Sequence, residues 1–79
     1  MHTIFVHLSN EEPFMAEVET LPSPTDQAIF CINPRKRDGK DLHYVLPEVQ
    51  QIIVPWWRIN FIEVMPSGQE EEIVAFYRD

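Results

Sequence analysis

The chain has 79 residues, one cysteine and a formal charge of −7, with six Lys or Arg against 13 Asp or Glu. That length supports one domain with a small core, so residues 1–79 are read as a single unit. The lone cysteine excludes an internal disulfide, and the negative field opposes a general affinity for nucleic-acid phosphates.

The first nine residues carry neither a basic leader nor a long apolar run, so no signal peptide is expected. No stretch is long enough to span a bilayer, which points to a cytoplasmic protein without a membrane partner. Ile4, Val6 and Leu8 alternate with Phe5 and His7, which predicts a strand with one wholly apolar face. Ser9, Asn10, Glu11, Glu12 and Pro13 then form a turn by composition. A second strand follows, with Phe14, Ala16, Val18 and Thr20 facing inward and Met15, Glu17 and Glu19 facing water.

Pro22 and Pro24 break the chain, since each removes a backbone donor and restricts the residue before it. Residues 27–33 read as a third strand, apolar on both faces and therefore central or covered. Within it Cys31 reads as a small buried hydrophobe, with no basic neighbour to favour a thiolate. Asp38-Gly39 signals a hairpin that leads into a strand at residues 42–46. Pro47 opens a single helical turn over residues 47–50. Residues 51–54 and 59–65 are two further β segments, with a bend forced at Pro55. Over residues 70–79 three glutamates precede an apolar run, which admits a helix, but its β-branched and aromatic content favours a last strand. The expectation is an all-β fold, a small and strongly bent antiparallel barrel of five to six strands.

Two segments resemble Sm motifs. Residues 6–18, from Val6 through the polar turn to Val18, resemble the opening of the first motif. Residues 54–62 are similar to the second, with Val54, Ile59, Phe61 and Ile62 where that family keeps core side chains. The match covers about a quarter of the chain and implies an Sm-like or SH3-like barrel able to form rings. Glu11 and Ala16 stand where the family keeps glycine, and Pro55 and Trp56 where it keeps an Arg-Gly pair. Asp26 lacks the Asn that follows in the family's base-binding pocket, so the RNA pocket does not carry over. Residues 53–62 also resemble a photoreaction-centre (PRC) barrel, through Ile53, Val54, Pro55 and Trp56 followed by Ile59 and Ile62.

Arg35, Lys36, Arg37 and Lys40 gather four of the six basic residues into one hairpin, a candidate nucleic-acid contact. Asp38 and Asp41 lie in the same loop and no aromatic residues interleave, which favours a purely solubilising role. Trp56, Trp57 and Arg58 form a candidate protein interface. In extended backbone the two indoles would point to opposite faces, one anchoring the interior and the other free for a partner. His2, His7 and His43 lack metal-ligand spacing, and the glutamates at 70–72 read as a solvated run, so no metal or cofactor is expected. No nucleophile with a nearby base and no phosphate-cradling glycine loop is present. The functional expectation is a non-enzymatic binding or assembly protein, homo-oligomeric through strand edges and the tryptophans, with a further protein partner as a second option. An RNA-binding ring that uses Arg35 to Lys40 is the alternative. An acidic nucleic-acid mimic and an enzyme completed at subunit boundaries rank below both.

Overall fold

The computed structural model describes residues 1–66 and shows five antiparallel strands curled into a half-barrel. In chain order these are β1 (His2–Leu8), β2 (Phe14–Val18), β3 (Ala28–Arg35), β4 (Gln51–Pro55) and β5 (Ile59–Val64), with a 3-10 turn, Trp56–Arg58, between the last two. The sheet order is β4-β3-β2-β1-β5. Four strands therefore form a meander, and β5 returns to pair with β1. The sequence expectation of a final strand at residues 70–79 lies outside the described residues.

Alternation in β1 and β2 sorts the side chains as read from the sequence. Ile4, Val6, Phe14, Ala16 and Val18 are fully buried, joined from β3 and β4 by Ile29, Cys31 and Val54. The register places Ile4 opposite Ala16 and Val6 opposite Phe14, so large and small side chains interdigitate across one face. Thr20 lies beyond the end of β2 and is exposed. The opposite face of the sheet carries Phe5, His7, Met15 and Glu17.

β3 runs two residues further than the sequence suggests, because a bulge extends it. Met15 pairs with Arg35 and Glu17 with Ile32, leaving Asn33 and Pro34 opposite the single Ala16. Asn33 takes φ 57°, the left-handed region that asparagine tolerates better than most residues. Pro34 lacks an N–H and fits the interrupted ladder. β3 is central by pairing, as expected, but its second face is not covered: Phe30 remains 57% exposed.

A turn forms beside the Asp38-Gly39 signal but one residue earlier than expected, with Arg37 and Asp38 at its centre and only Gly39 at positive φ. Gly39 N–H donates to Lys36 O at 2.9 Å, Lys36 N–H to Lys40 O at 2.8 Å, and Gly39 sits at φ +90°. The strand expected at residues 42–46 does not form. Leu42 instead turns inward and is buried in the core, while the Tyr44 hydroxyl donates to Glu12 O at 2.7 Å. The place beside β3 is taken by β4, whose Gln51, Ile52, Ile53, Val54 and Pro55 pair with Ile32 through Ala28. Pro47 enters a single hydrogen-bonded turn, Val49 N–H to Leu46 O at 3.0 Å, in place of the helical turn expected over residues 47–50.

Candidate functional site

Three surfaces outside the core bring chemistry-bearing side chains together. The first is the outer face of β1 and β5. His7 stacks on Phe61 with ring centroids 4.1 Å apart and meets the edge of Phe5 at 5.0 Å. Its Nε2 lies 2.8 Å from Glu63 Oε1, which fixes the ring against the sheet. The register explains the cluster: His7 faces Phe61 and Phe5 faces Glu63, with Asn60 as the extra residue of a bulge beside Leu8.

The basic hairpin reaches the same face, though not as a set of free cations. Arg35 makes a two-pronged bond to Glu17, Nη1 to Oε1 at 3.0 Å and Nη2 to Oε2 at 2.7 Å, across the β2–β3 pair. It also donates to Asn33 O at 2.8 Å, which braces the bulge. Arg35 is thus spent on the fold and not offered to a ligand. Lys36 is half-buried, whereas Arg37 and Lys40 are exposed. The Arg37 guanidinium lies 6.0 Å from the centre of the Phe5 ring, at the outer limit of a cation–π contact. The sequence shows no aromatic residue within the basic stretch; the fold supplies one from β1.

The second surface is the β4 side of the sheet. Phe30 and Ile53 are direct cross-strand partners on the outer face, 57% and 61% exposed. Beside them lies an open groove of about 480 Å³ floored by Ala28, Phe30 and Ile32, with Glu19 and Asp26 on its rim. Among the described residues no strand pairs with the free edge of β4.

The third surface is the turn Trp56–Arg58. The two indoles separate as expected, but through a 3-10 turn, not extended backbone. Trp56 packs against the core, and its backbone N–H donates to Gln27 O at 2.9 Å. Trp57 is 77% exposed, with the Arg58 guanidinium 5.7 Å from its ring centre. Arg58 O accepts from Ser9 N–H at 2.9 Å, which pins this turn to the β1–β2 connection. Near the far end of β5 an apolar groove of about 370 Å³ opens between Leu21, Trp56, Ile62 and Val64.

The remaining candidates are placed apart from these surfaces. Cys31 is buried, and burial pushes its thiol up to about 11, so a thiolate nucleophile is disfavoured there. His43 lies 3.5 Å from Glu11 and 3.3 Å from Glu12, exposed beside Tyr44 and remote in sequence from His7. Among the described residues no group of three or more His, Cys, Asp or Glu is arranged to hold a metal ion. No helix among them is long and apolar enough to cross a membrane.

These features define a class: a small all-β half-barrel whose outer face and one edge carry exposed apolar and aromatic side chains. No protein family matches the chain, and neither a curated protein nor a solved structure is significantly similar to it.

Proposed function

We propose that this chain is a non-enzymatic binding and assembly domain that forms homo-oligomers through its strand edges and the Trp56-Trp57 turn. The observation that carries this reading is the exposed apolar set of Phe30, Ile53 and Trp57 beside the outer edge of β4, which no strand among the described residues covers. Large exposed apolar groups next to free backbone donors and acceptors are the usual form of an association surface. A domain this small also gains from burying further apolar area, at about 25 cal/mol per Å². Light scattering across a hundredfold range of protein concentration tests it. The mass is expected to rise above the monomer with concentration, and Trp57→Ala is expected to move that rise to about tenfold higher concentration. A monomeric mass throughout the range would sink the reading.

A second reading, RNA binding through the basic hairpin, is favoured by one observation: Arg37 stands over Phe5, beside the His7–Phe61 stack. A cation next to aromatic rings on a sheet face is the arrangement that holds unstacked bases. Filter retention of a short single-stranded RNA at two salt concentrations checks it. Retention is expected to fall with salt and to be lost when Arg35, Lys36, Arg37 and Lys40 are all changed to Ala. Because Arg35 also braces Glu17, a variant that keeps Arg35 separates lost binding from lost fold. Retention that ignores both changes dismisses RNA.

A further inference from the structure

The β4 edge carries more information than its exposure. Two hydrogen bonds fix which of its backbone groups point away from β3. Trp56 N–H donates to Gln27 O, and Asn33 N–H donates to Gln50 O, at the two ends of the β3–β4 pair. Bonded and non-bonded pairs alternate along an antiparallel ladder. With Ala28 opposite Pro55 and Ile32 opposite Gln51, Val54 and Ile52 therefore bond inward to β3. Gln51 and Ile53 turn their N–H and C=O groups outward. Pro55 falls in the outward set as well, where its missing N–H leaves nothing in β3 unsatisfied. The outward row is short and alternates donor and acceptor in the same way when read from either direction.

We propose that β4 of one copy pairs antiparallel with β4 of a second copy across a two-fold axis, so that two five-stranded sheets join into one. This rests on the assembly reading above and names the element that assembles. The pairing sets Gln51 against the partner's Ile53 and Ile53 against the partner's Gln51. The N–H and C=O groups of Gln51 and Ile53 are then all bonded, the Pro55 C=O lies beyond the paired segment, and Ile52 faces its own counterpart on the inner side. On the outer side Phe30 and Ile53 of each copy flank the seam and extend into one apolar stripe.

The charge distribution decides where a second copy can meet the first. Each copy carries −7, so two copies repel unless they meet where charge is absent. No residue of β4 is charged, and β3 carries no charge along the residues that pair with it, Ala28 through Ile32. Protected edges ordinarily place Lys or an inward-pointing charge there, and this one has only Pro55 at its end. A five-residue strand pair with two flanking side chains buries less than the roughly 800 Å² per partner of a stable complex. The dimer is therefore concentration-dependent.

Two variants of the full chain test the pairing. Ile53→Lys places a cation in the outward row without touching the β3 ladder, and is expected to raise the dimer dissociation constant by about tenfold or more. Ile52→Cys puts two thiols on the two-fold axis, where Cα atoms of a non-bonded pair lie about 4.5 Å apart, within disulfide range. Mild oxidation is expected to give a covalent dimer from Ile52→Cys and none from Ile62→Cys on β5. Both cysteine variants are made with Cys31→Ala, because Cys31 is the direct cross-strand partner of Ile52 and its thiol would otherwise compete for the new one. If the native chain self-associates while Ile53→Lys associates equally well and Ile52→Cys does not cross-link, the β4 pairing is wrong and assembly uses another surface. If the native chain never leaves the monomer, both this pairing and the assembly reading fall.

Discussion

Replacing Phe14 with alanine is expected to remove about 3–5 kcal/mol of stability, most of what a domain of this size has. Phe14 is the largest fully buried side chain, it opens β2, and it lies opposite Val6 in the β1–β2 ladder. Its surroundings cannot collapse around the gap easily. Val6 is fixed by pairing to both β2 and β5, and Leu42 and Tyr44 close over the core from a loop whose own anchor is the Tyr44 bond to Glu12. The result is a cavity rather than a repacked core. Urea unfolding followed by circular dichroism reads the loss as a lower midpoint at unchanged slope. Phe14→Leu is expected to lose less than half as much. A loss below about 1 kcal/mol for Phe14→Ala would mean that Phe14 is not at the centre of the core.

The second large effect is alkaline instability. Burial pushes the Cys31 thiol from its ordinary 9.0 to about 11. Tyr44 rises from 10.0 to about 12, first through burial and then through the Glu12 and Glu11 carboxylates, against a smaller opposing pull from Arg58. Both groups are neutral when protonated, and the fold favours that neutral form. Below pH 9 both are protonated in folded and unfolded chains alike, and stability does not depend on them. Between 9 and 11 the unfolded chain releases the Cys31 proton while the folded chain retains it, so stability falls as pH rises. Tyr44 adds a further fall between 10 and 12. For Cys31 the full loss is about 3 kcal/mol. Thermal melts from pH 7 to 12 are expected to show a decline that begins near pH 9, and Cys31→Ala removes its first part. A flat melting temperature up to pH 11 in the native chain would contradict the burial of this thiol.

Much of the meander was legible because its signals are local. The alternation of Ile4, Val6 and Leu8, then of Phe14, Ala16 and Val18, fixed both strands and their buried faces. A turn beside Asp38-Gly39 and the bend after Pro55 followed from backbone restrictions that no tertiary contact has to supply. Residues 42–46 misled for the same reason. Leu42, Tyr44 and Leu46 alternate with polar His43 as a strand would, but a strand also needs a free neighbour, and β4 binds β3 with better β-formers. The surface clusters were hidden because they depend on distant pairings. Glu17 and Arg35 meet only through a bulge that skips Asn33 and Pro34. His7 and Phe61 meet only because the chain returns to its first strand after three others have joined it in a sheet. The one usable hint was the odd aromatic face of β1, since Phe5 and His7 occupy positions where a solvated strand would place charges.

That return also sets an order of events. β1 takes β2 as its neighbour on one side early, by a short local turn, but its other side waits for β5, which is more than fifty residues further along: His7 and Glu63 are separated by 56 positions. Contacts of that span are slow to close, because the loop entropy is lost before any pairing offsets it. During synthesis β1 thus emerges before β2 to β5 but is completed only when β5 follows. Until β5 emerges, one side of β1 keeps its backbone donors and acceptors without their native partners, and unpaired strand edges are where folding intermediates aggregate.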